Sequence, residues 1–344
     1  MTKKDRPAQE AIPSLFGLQR GPIIKVYDGY GDNDDIILYG HVLRSGPKPV
    51  KRYRGNVISN SLALFRLFMV KPLPKVTVSL EWNGKMHEAI TNADGFFKME
   101  WKPSSAVEPG WHVITLRLKN SPEVKGTGRV FVPFPGQFAI VSDIDDTFLV
   151  SHSANTRKRL LVLLTKNAET RRPFEDVVDH YRALAIGTGD LAEPNPFFYV
   201  SSSEWNLYEY IRAFCAKHGL PEGILLLSPM KQLRNVWRTG QGKHSIKFVR
   251  IARIMTSYPD HRYVLLGDDT QHDPDIYSSI VEHFPGKVHA IYLRKVRASS
   301  QTRVTGLIEK MQAGGVHCCY FKHSREAIQH SRSIGLISAA DVRS

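Results

Sequence analysis

The chain has 344 residues, enough for two domains at the usual ~100–200 residues per domain. Hydrophobic residues make up 42% of it and charged residues 23%, a composition that excludes disordered and collagen-like proteins. Lysine and arginine outnumber aspartate and glutamate by 47 to 33, and three cysteines are too few for a disulfide framework.

The positive charge is concentrated in two segments that contain no acidic residue, Ile36–Leu80 and Gly223–Pro259. Basic segments of this kind attract polyanions such as nucleic acid, anionic lipid or a phosphorylated substrate. They are equally compatible with a basic surface that only keeps a protein soluble. No helix-turn-helix, zinc-finger or RNP signature accompanies them, so the sequence disfavours nucleic acid as a partner.

No apolar run approaches the ~20 residues of a membrane-spanning helix. The segment before Arg20 also has no apolar stretch of the length that a signal peptide needs. Cys318 and Cys319 are adjacent and fit buried thiols in a reducing compartment. We therefore expect a cytoplasmic protein.

The N-terminal part, residues 1–133, has the pattern of short β-strands. Lys75–Trp82 alternates between apolar and polar residues, and Asn83-Gly84 after it is a hairpin-turn signal. Two further alternating runs follow at Trp111–Leu118 and Arg129–Val132. Short alternating segments separated by turns predict a small antiparallel β-sandwich domain.

The pattern changes at Phe134. Short, continuous apolar runs now alternate with helix-like segments, which is typical of buried parallel strands. These runs are Phe138–Val141, Phe197–Val200, Ile224–Leu227, Tyr263–Leu266, Val288–Leu293 and Val316–Phe321. Residues 134–344 are therefore predicted to form an α/β domain with a doubly wound parallel sheet, with its chemistry just past the carboxyl ends of the strands.

The first of these strands is followed by the sequence Ser-Asp-Ile-Asp-Asp-Thr, residues 142–147. Carboxylates crowded at one strand end repel one another unless a cation or a shared proton lies between them. Oxygen ligands on a loop suit Mg²⁺. A helix cap is the simpler interpretation of such residues, but capping needs only one of them.

Three later segments place further polar groups near strand ends. Ser201 follows the second strand, and a hydroxyl there can bond a phosphoryl oxygen, although serines are also ordinary in loops. Asp268, Asp269 and Asp273 follow the fourth strand, so two acidic strand ends predict one metal site. Lys247 begins a helix and could neutralise a phosphate, although an exposed lysine is the commoner interpretation.

In this order the motifs resemble those of haloacid-dehalogenase-like phosphohydrolases. Within that superfamily, the phrases NPFFYVSSSEWNLYEYIRAF and RYVLLGDDTQHDPDIY are similar to the catalytic domain of the actin-patch-associated phosphatidate phosphatases and their bacterial relatives. The resemblance covers Phe134 to Arg297. Glu204 stands where the family pattern has proline, and Asp269 stands where it has serine. The spacing around His244 is looser than in the His-Lys pair of the family pattern.

The resemblance implies a Mg²⁺-dependent phosphatidate phosphatase that works through an aspartyl-phosphate. Asp143 would be the nucleophile and Asp145 the general acid and base, with Thr147 bracing their loop. Ser201 and Lys247 would hold the phosphoryl oxygens. Mg²⁺ would be bound by Asp143, the backbone carbonyl of Asp145, and Asp268, and the sequence leaves the choice between Asp269 and Asp273 open.

Two other functions remain open at this point. One is a phosphatase of the same mechanism that acts on a soluble phosphomonoester or a nucleic-acid end, and the other is a lipid-binding module without catalysis. The N-terminal domain either docks on an anionic membrane surface, where it would make the protein peripheral, or packs on the catalytic domain as a scaffold or lid. The sequence gives no oligomeric state.

Overall fold

The computed structural model describes residues 18–47, 71–144, 176–189, 193–228, 243–270 and 272–338. Within these ranges the chain builds two β-sheets, and all the helices belong to the part after the second sheet begins. No helix among the described residues has both the length and the apolar character needed to cross a membrane.

The first sheet contains nine described strands in the order β1-β3-β2-β9-β8-β5-β6, with β4 and β7 also paired to β3. The strands are β1 (Leu18–Val26), β2 (Gly29–Gly31), β3 (Ile36–Pro47), β4 (Lys71–Pro72), β5 (Thr77–Trp82), β6 (Lys85–Ile90), β7 (Phe96–Trp101), β8 (Gly110–Leu118) and β9 (Ser121–Val132). Asn83 and Gly84 join β5 to β6 with φ angles of 48° and 76°, so the predicted hairpin turn is confirmed.

The N-terminal region is β-rich, as the alternating pattern predicts. Its sheet is mixed rather than wholly antiparallel, because β2 pairs with β9 in parallel register, Tyr30 opposite Phe131. The sandwich arrangement of this region and the domain boundary at residues 133/134 stay predictions.

The second sheet contains six strands, all parallel to their neighbours, in the order β12-β11-β10-β13-β14-β15. They are β10 (Phe138–Asp143), β11 (Phe197–Glu204), β12 (Ile224–Ser228), β13 (Arg262–Asp268), β14 (Val288–Arg294) and β15 (His317–Phe321). Each was signalled by an apolar run, because a parallel strand is covered on both faces. The predicted α/β class is confirmed.

Helices cover both faces of this parallel sheet. The described helices are α1 (Val177–Ile186), α2 (Tyr208–His218), α3 (Lys243–Ser257), α4 (Asp273–His283), α5 (Gln301–Ala313) and α6 (Ser324–Ser333). Apolar residues of α1, α2 and α6 share one buried cluster with Ile140, while those of α3, α4 and α5 share another with Ala139 and Val141. Side chains alternate along a strand, so β10 supplies both cores.

The strand order reverses at β10. From β10 the chain moves outward to β11 and β12, and it then returns to β13 on the other side of β10 before it continues to β14 and β15. Connections leave the two central strands in opposite directions, which opens a crevice at the carboxyl ends of β10 and β13. The topology therefore places Asp143 and Asp268, the last residues of these strands, side by side.

The two sheets pack against each other through aromatic side chains. The ring of Tyr27 stacks on Trp205 with centroids 4.1 Å apart, and Tyr30 meets Phe198 edge-on at 5.4 Å. The Tyr258 hydroxyl donates a hydrogen bond to the Gly31 carbonyl at 3.3 Å. Because residues of both sheets share the same buried clusters, the N-terminal strands are part of the hydrophobic core of the parallel sheet.

Candidate active site

Three buried aspartates meet at the crevice. Asp143 ends β10, Asp268 ends β13 and Asp273 begins α4, and at most 1% of each residue is exposed. One carboxylate oxygen from each lies within 4.8 Å of the other two, and the three could hold a metal ion. Two of these residues come from neighbouring strand ends, which is why an apolar run followed by aspartate predicts the site.

Lys247 inserts its ammonium among these carboxylates. It lies in the first turns of α3, and its Nζ is 2.9 Å from Asp143 Oδ1 and also donates a hydrogen bond to Asp273 Oδ1. Burial alone would lower the pKa of Lys247, but the charges of Asp143 and Asp273 outweigh it and raise the pKa above its usual value. The lysine is therefore charged, and three carboxylates around one ammonium leave an excess of negative charge.

Gly267 allows Asp273 to approach the end of β13. A Cβ on Gly267 would lie 2.6 Å from Asp273 Oδ2, too close for any real contact. The backbone N–H of Asp268 donates to the same Oδ2 at 3.4 Å, and the N–H of Thr270 donates to Asp268 Oδ1 at 2.5 Å. The sequence does not predict this role of Gly267, because the close contact with Asp273 forms only when the chain is folded.

Asp269 is turned away from the three aspartates. Its Oδ1 accepts hydrogen bonds from the N–H groups of Val296 and Arg297, both at 2.9 Å, and its Oδ2 accepts one from the Tyr320 hydroxyl at 2.7 Å. Asp269 thus fastens the segment after β14 to the end of β13. Of the two aspartates between which the sequence leaves a choice, Asp273 is the one that joins Asp143 and Asp268.

Ser201 lies on the strand beside Asp143. Asp143 pairs with Val200 in the parallel register, so Ser201 is the next residue along β11, and it is buried. Its Oγ accepts a hydrogen bond from Ser203 N at 3.0 Å, and its carbonyl accepts one from Arg250 Nη1 at 2.9 Å. Asp145 and Thr147 lie outside the described residues, so their predicted roles stay predictions.

Two buried tyrosines hold the strand ends in place. The hydroxyl of Tyr181, on α1, is hydrogen-bonded to Ser142 Oγ at 2.8 Å. The Ser142 hydroxyl in turn donates a hydrogen bond to the Asp143 carbonyl at 2.8 Å. The Tyr277 hydroxyl donates to the Leu266 carbonyl at 2.7 Å. Burial raises the pKa of both phenols, so both stay protonated and can donate. No spacing in the sequence singles out these tyrosines.

The arrangement suits chemistry on an electron-poor, anionic group. A buried carboxylate beside a permanent cation can act as a nucleophile, and a lysine ammonium can neutralise the charge of a bound phosphoryl group. Three carboxylate oxygens are hard ligands, the kind that Mg²⁺ binds. The fold brings all of these groups to one crevice.

Comparison with known proteins shows a match over this part of the chain. Residues 138–295 match the family described as "Phosphatidate phosphatase APP1, catalytic domain". Phosphatidate phosphatase APP1 of Saccharomyces cerevisiae is 26% identical over 160 residues, which cover 46% of this chain and 26% of that protein. An uncharacterized protein of Schizosaccharomyces pombe is 24% identical over 163 residues, which cover 46% of this chain and 25% of that protein.

The aligned region is thus about a quarter of the length of these curated relatives. Among solved structures, the PilB minor pilin from Streptococcus sanguinis covers 77% of this chain and 89% of its own, at 10% identity. Its TM-score of 0.30 is too low to carry an argument about the fold. The family match, in contrast, contains Asp143, Ser201, Lys247, Asp268 and Asp273. The resemblance to the phosphatidate phosphatase catalytic domain inferred from the motifs is therefore confirmed: residues 138–295 are similar to the APP1 catalytic-domain family.

Proposed function

We propose that this chain is a Mg²⁺-dependent phosphatidate phosphatase, which cleaves phosphatidate to diacylglycerol and phosphate. The observation that carries the proposal is the cluster of Asp143, Asp268, Asp273 and Lys247 at the crevice of the parallel sheet. The cluster lies within the matched residues, and one of the matched relatives is named a phosphatidate phosphatase.

The residues at the crevice fit a magnesium ion. Asp143, Asp268 and Asp273 offer oxygen ligands only, and a divalent cation would offset the negative charge that Lys247 leaves uncompensated. We propose that these three residues hold the ion, with Asp269 outside the site because both of its oxygens bind other groups. When bound, Mg²⁺ would supply positive charge to the phosphoryl oxygens in the transition state.

In the proposed reaction, an oxygen of Asp143 attacks phosphorus and the bond from phosphorus to the glycerol oxygen breaks. The leaving alkoxide takes a proton from Asp145, so diacylglycerol departs and an aspartyl-phosphate remains. Asp145 then takes a proton from water, which attacks the same phosphorus and restores the Asp143 carboxylate with release of phosphate. Lys247 and Ser201 hold the phosphoryl oxygens throughout, since charge spreads over these oxygens in the transition state.

The topology supports a haloacid-dehalogenase-like, doubly wound architecture. Six parallel strands reverse their order between β10 and β13, and helices from both sides of the sheet share its two cores. The nucleophile would then end the first strand of the sheet, and the metal would lie between the two central strands. In this arrangement residues 1–133 form a second, β-rich domain that packs on the catalytic one.

The lipid substrate implies work at a bilayer surface. Phosphatidate makes a membrane anionic, and each lysine or arginine near such a surface contributes about 1 kcal/mol of attraction. The segment Gly223–Pro259, which carries Lys247, contains no acidic residue. We therefore propose that the protein is peripheral on membranes, with the surface that carries these basic residues toward the lipid.

A panel of substrates tests the choice of phosphatidate. Phosphate release would be measured from phosphatidate in mixed micelles, from sugar phosphates and from 5′-phosphorylated oligonucleotides, each with Mg²⁺ and with chelator. The proposal predicts metal-dependent release that is strongest from phosphatidate. Stronger metal-dependent release from a soluble phosphomonoester would retain the mechanism and overturn the lipid substrate, whereas phosphatidate binding without any release would point to a lipid-binding module.

A further inference from the structure

A pocket lies between the N-terminal sheet and the carboxyl edge of the parallel sheet. Its volume is about 490 Å³, within the range of ~300–1,000 Å³ that is usual for small-molecule sites. Tyr39 and Phe96 line it from the N-terminal side, and Trp205, Leu226 and Leu227 line it from the ends of β11 and β12. Both sheets are therefore needed to form it.

The pocket adjoins the proposed phosphoryl site through Arg250. This residue lines the pocket, and its guanidinium donates to the Ser201 carbonyl at 2.9 Å and to the Leu227 carbonyl at 2.6 Å. Arg250 also lies three residues after Lys247 on α3, which is about one helical turn. A molecule bound at Ser201 and Lys247 could thus extend into the pocket.

The deep polar groups of the pocket are hydrogen-bond donors. Arg250 forms no ion pair with an acidic side chain among the described residues, and only two of its five N–H groups are used by the carbonyls. The acidic residue that lines the pocket, Asp94, is exposed at its rim. The interior therefore suits a ligand that presents oxygen acceptors.

His41 supplies a second, independent sign of a ligand. It lines the pocket and is 1% exposed, yet its Nε2 has no hydrogen-bond partner among the described residues. The phenol of Tyr27, which burial keeps protonated, lies 3.0 Å from His41 Nδ1, so Nδ1 accepts and Nε2 carries the proton. Burial and the charge of Lys25 lower the pKa of His41 to about 3, so the ring is neutral at pH 7. Burying an N–H donor without an acceptor destabilises the folded protein, unless a bound ligand accepts the hydrogen bond.

We propose that this interface pocket binds the glycerol ester and the first carbons of an acyl chain of the phosphatidate substrate, an inference that rests on the proposed function. Ester oxygens only accept hydrogen bonds, which matches the donors of His41 and Arg250. The acyl carbons match the aromatic and aliphatic walls. The N-terminal sheet then acts in substrate selection, since it contributes Tyr39, His41 and Phe96.

The test is a comparison of two monomeric substrates, dibutyryl and dioctanoyl phosphatidate, which remove any effect of a lipid surface. Val249→Trp would narrow the mouth of the pocket, because Val249 lines it and is 62% exposed, so the larger side chain need not disturb the core. Val113→Trp is the matched control, at an exposed valine of β8 that does not line this pocket. Both are made in the full-length chain and assayed with Mg²⁺.

In the wild-type protein we expect kcat/KM to be higher for the dioctanoyl substrate, through a lower KM, because its longer acyl chains bury more apolar surface in the pocket. Val249→Trp should reduce this preference at least ~10-fold, and Val113→Trp should leave it unchanged. If the wild-type protein does not prefer the dioctanoyl substrate, or if Val249→Trp shows the same preference, the pocket does not bind the acyl chain. Either result would leave the proposed phosphatase activity intact. Inactivity of the wild-type protein toward both phosphatidates would overturn the proposed function and the pocket together.

A binding measurement gives a readout without catalysis. Phosphatidate with brominated acyl chains quenches tryptophans that it contacts, and Trp205 lines the pocket. With Asp143→Asn protein and Mg²⁺, we expect quenching that is lost when Trp205→Phe is added. Quenching that persists without Trp205 would place the chains elsewhere and overturn the proposal.

Discussion

The ammonium nitrogen of Lys247 lies 2.9 Å from Oδ1 of Asp143, at the point where the first strand of the parallel sheet ends. The same ammonium bonds Asp273, so one buried cation contacts two carboxylates that come from different elements. This contact offsets part of the negative charge in the crevice and fixes the carboxylate proposed as the nucleophile.

Replacing this lysine tests its electrostatic role. Lys247→Met leaves buried carboxylates without their cation, and losing one partner of such a pair costs about 3–5 kcal/mol of unfolding free energy. Mg²⁺ should restore part of this stability, because a ligand that binds only the folded state stabilises it. Urea unfolding with Mg²⁺ and with chelator measures both effects.

Lys310→Met is the matched control for that variant. Lys310 pairs with Glu282 at 2.6 Å, but both side chains are largely exposed, and such pairs contribute little to stability. Equal losses of stability in the two variants would contradict the assigned role of Lys247.

Gly267→Ala tests the placement of Asp273. The new methyl group would lie 2.6 Å from Asp273 Oδ2 and 2.9 Å from Tyr277 Cε2, so Asp273 must shift out of the group of three. We expect a Mg²⁺ activation constant at least ~10-fold weaker, comparable to the loss of a metal-site supporting residue. Magnesium titration of phosphate release measures it.

The control for this substitution is Gly306→Ala in α5, where nothing lies within 4 Å of the added carbon. Alanine should stabilise that helix by roughly 1 kcal/mol and leave the magnesium titration unchanged. An unchanged titration in Gly267→Ala as well would show that Asp273 does not bind the metal.

Strand ends were the part of the site that the sequence could predict. Asp143 and Asp268 follow apolar runs, and parallel strands bring their carboxyl ends to one edge of the sheet. The turn at Asn83-Gly84 could also be predicted, because both turn positions require a positive φ and Asn-Gly is a preferred pair there.

Side-chain direction and long-range pairing were beyond the sequence. Asp268 and Asp269 are neighbours, yet Asp269 turns to Tyr320 of β15, more than 50 residues away, and no local pattern encodes that contact. The parallel pairing of β2 with β9 likewise joins distant segments. The pocket between the sheets depends on how two regions pack, which neither region encodes alone.

The buried His180 gives a prediction for pH. Burial, and then the charges of Arg294 and His330, lower the pKa of His180 to about 3 from its usual 6.5. Between pH 3 and pH 6.5, His180 is protonated in the unfolded chain but neutral in the folded chain. The neutral, buried His180 therefore contributes its full stability above pH 6.5, and this contribution is lost as pH falls toward 3. The free energy of unfolding should therefore fall with acidification in this window.

The variant His180→Asn separates this effect from other acid-sensitive groups. At pH 7 it should be less stable than the wild-type protein, because His180 bonds with Ser331 Oγ at 2.9 Å. The difference should shrink as pH falls to 4, and His283→Asn, at an exposed histidine, is the matched control for the substitution itself. A difference that stays constant from pH 7 to 4 would rule out the lowered pKa.

The ion pair between Asp28 and Arg129 fixes an arginine of the N-terminal sheet that also contacts the region of the parallel sheet. Arg129 donates to both oxygens of Asp28, at 2.9 and 3.3 Å, and also to Glu222 at 2.6 Å next to β12. Charged hydrogen bonds of this kind contribute about 1.5–3 kcal/mol, so Asp28→Asn should lower the unfolding free energy by about 2 kcal/mol. Asp34→Asn, in an exposed pair with Lys102, should change the unfolding free energy much less. Similar values for the two variants would show that the Asp28 pair contributes little.

The most direct test of the account is phosphate release from phosphatidate in mixed micelles by the wild-type protein and by Asp143→Asn. Asparagine keeps the shape of the side chain but cannot form the aspartyl-phosphate. With Mg²⁺, we predict release by the wild-type protein that chelator abolishes, and a loss of at least ~10³-fold in Asp143→Asn. Retention of most of the activity by Asp143→Asn at saturating Mg²⁺ would contradict the assignment of Asp143 as the nucleophile.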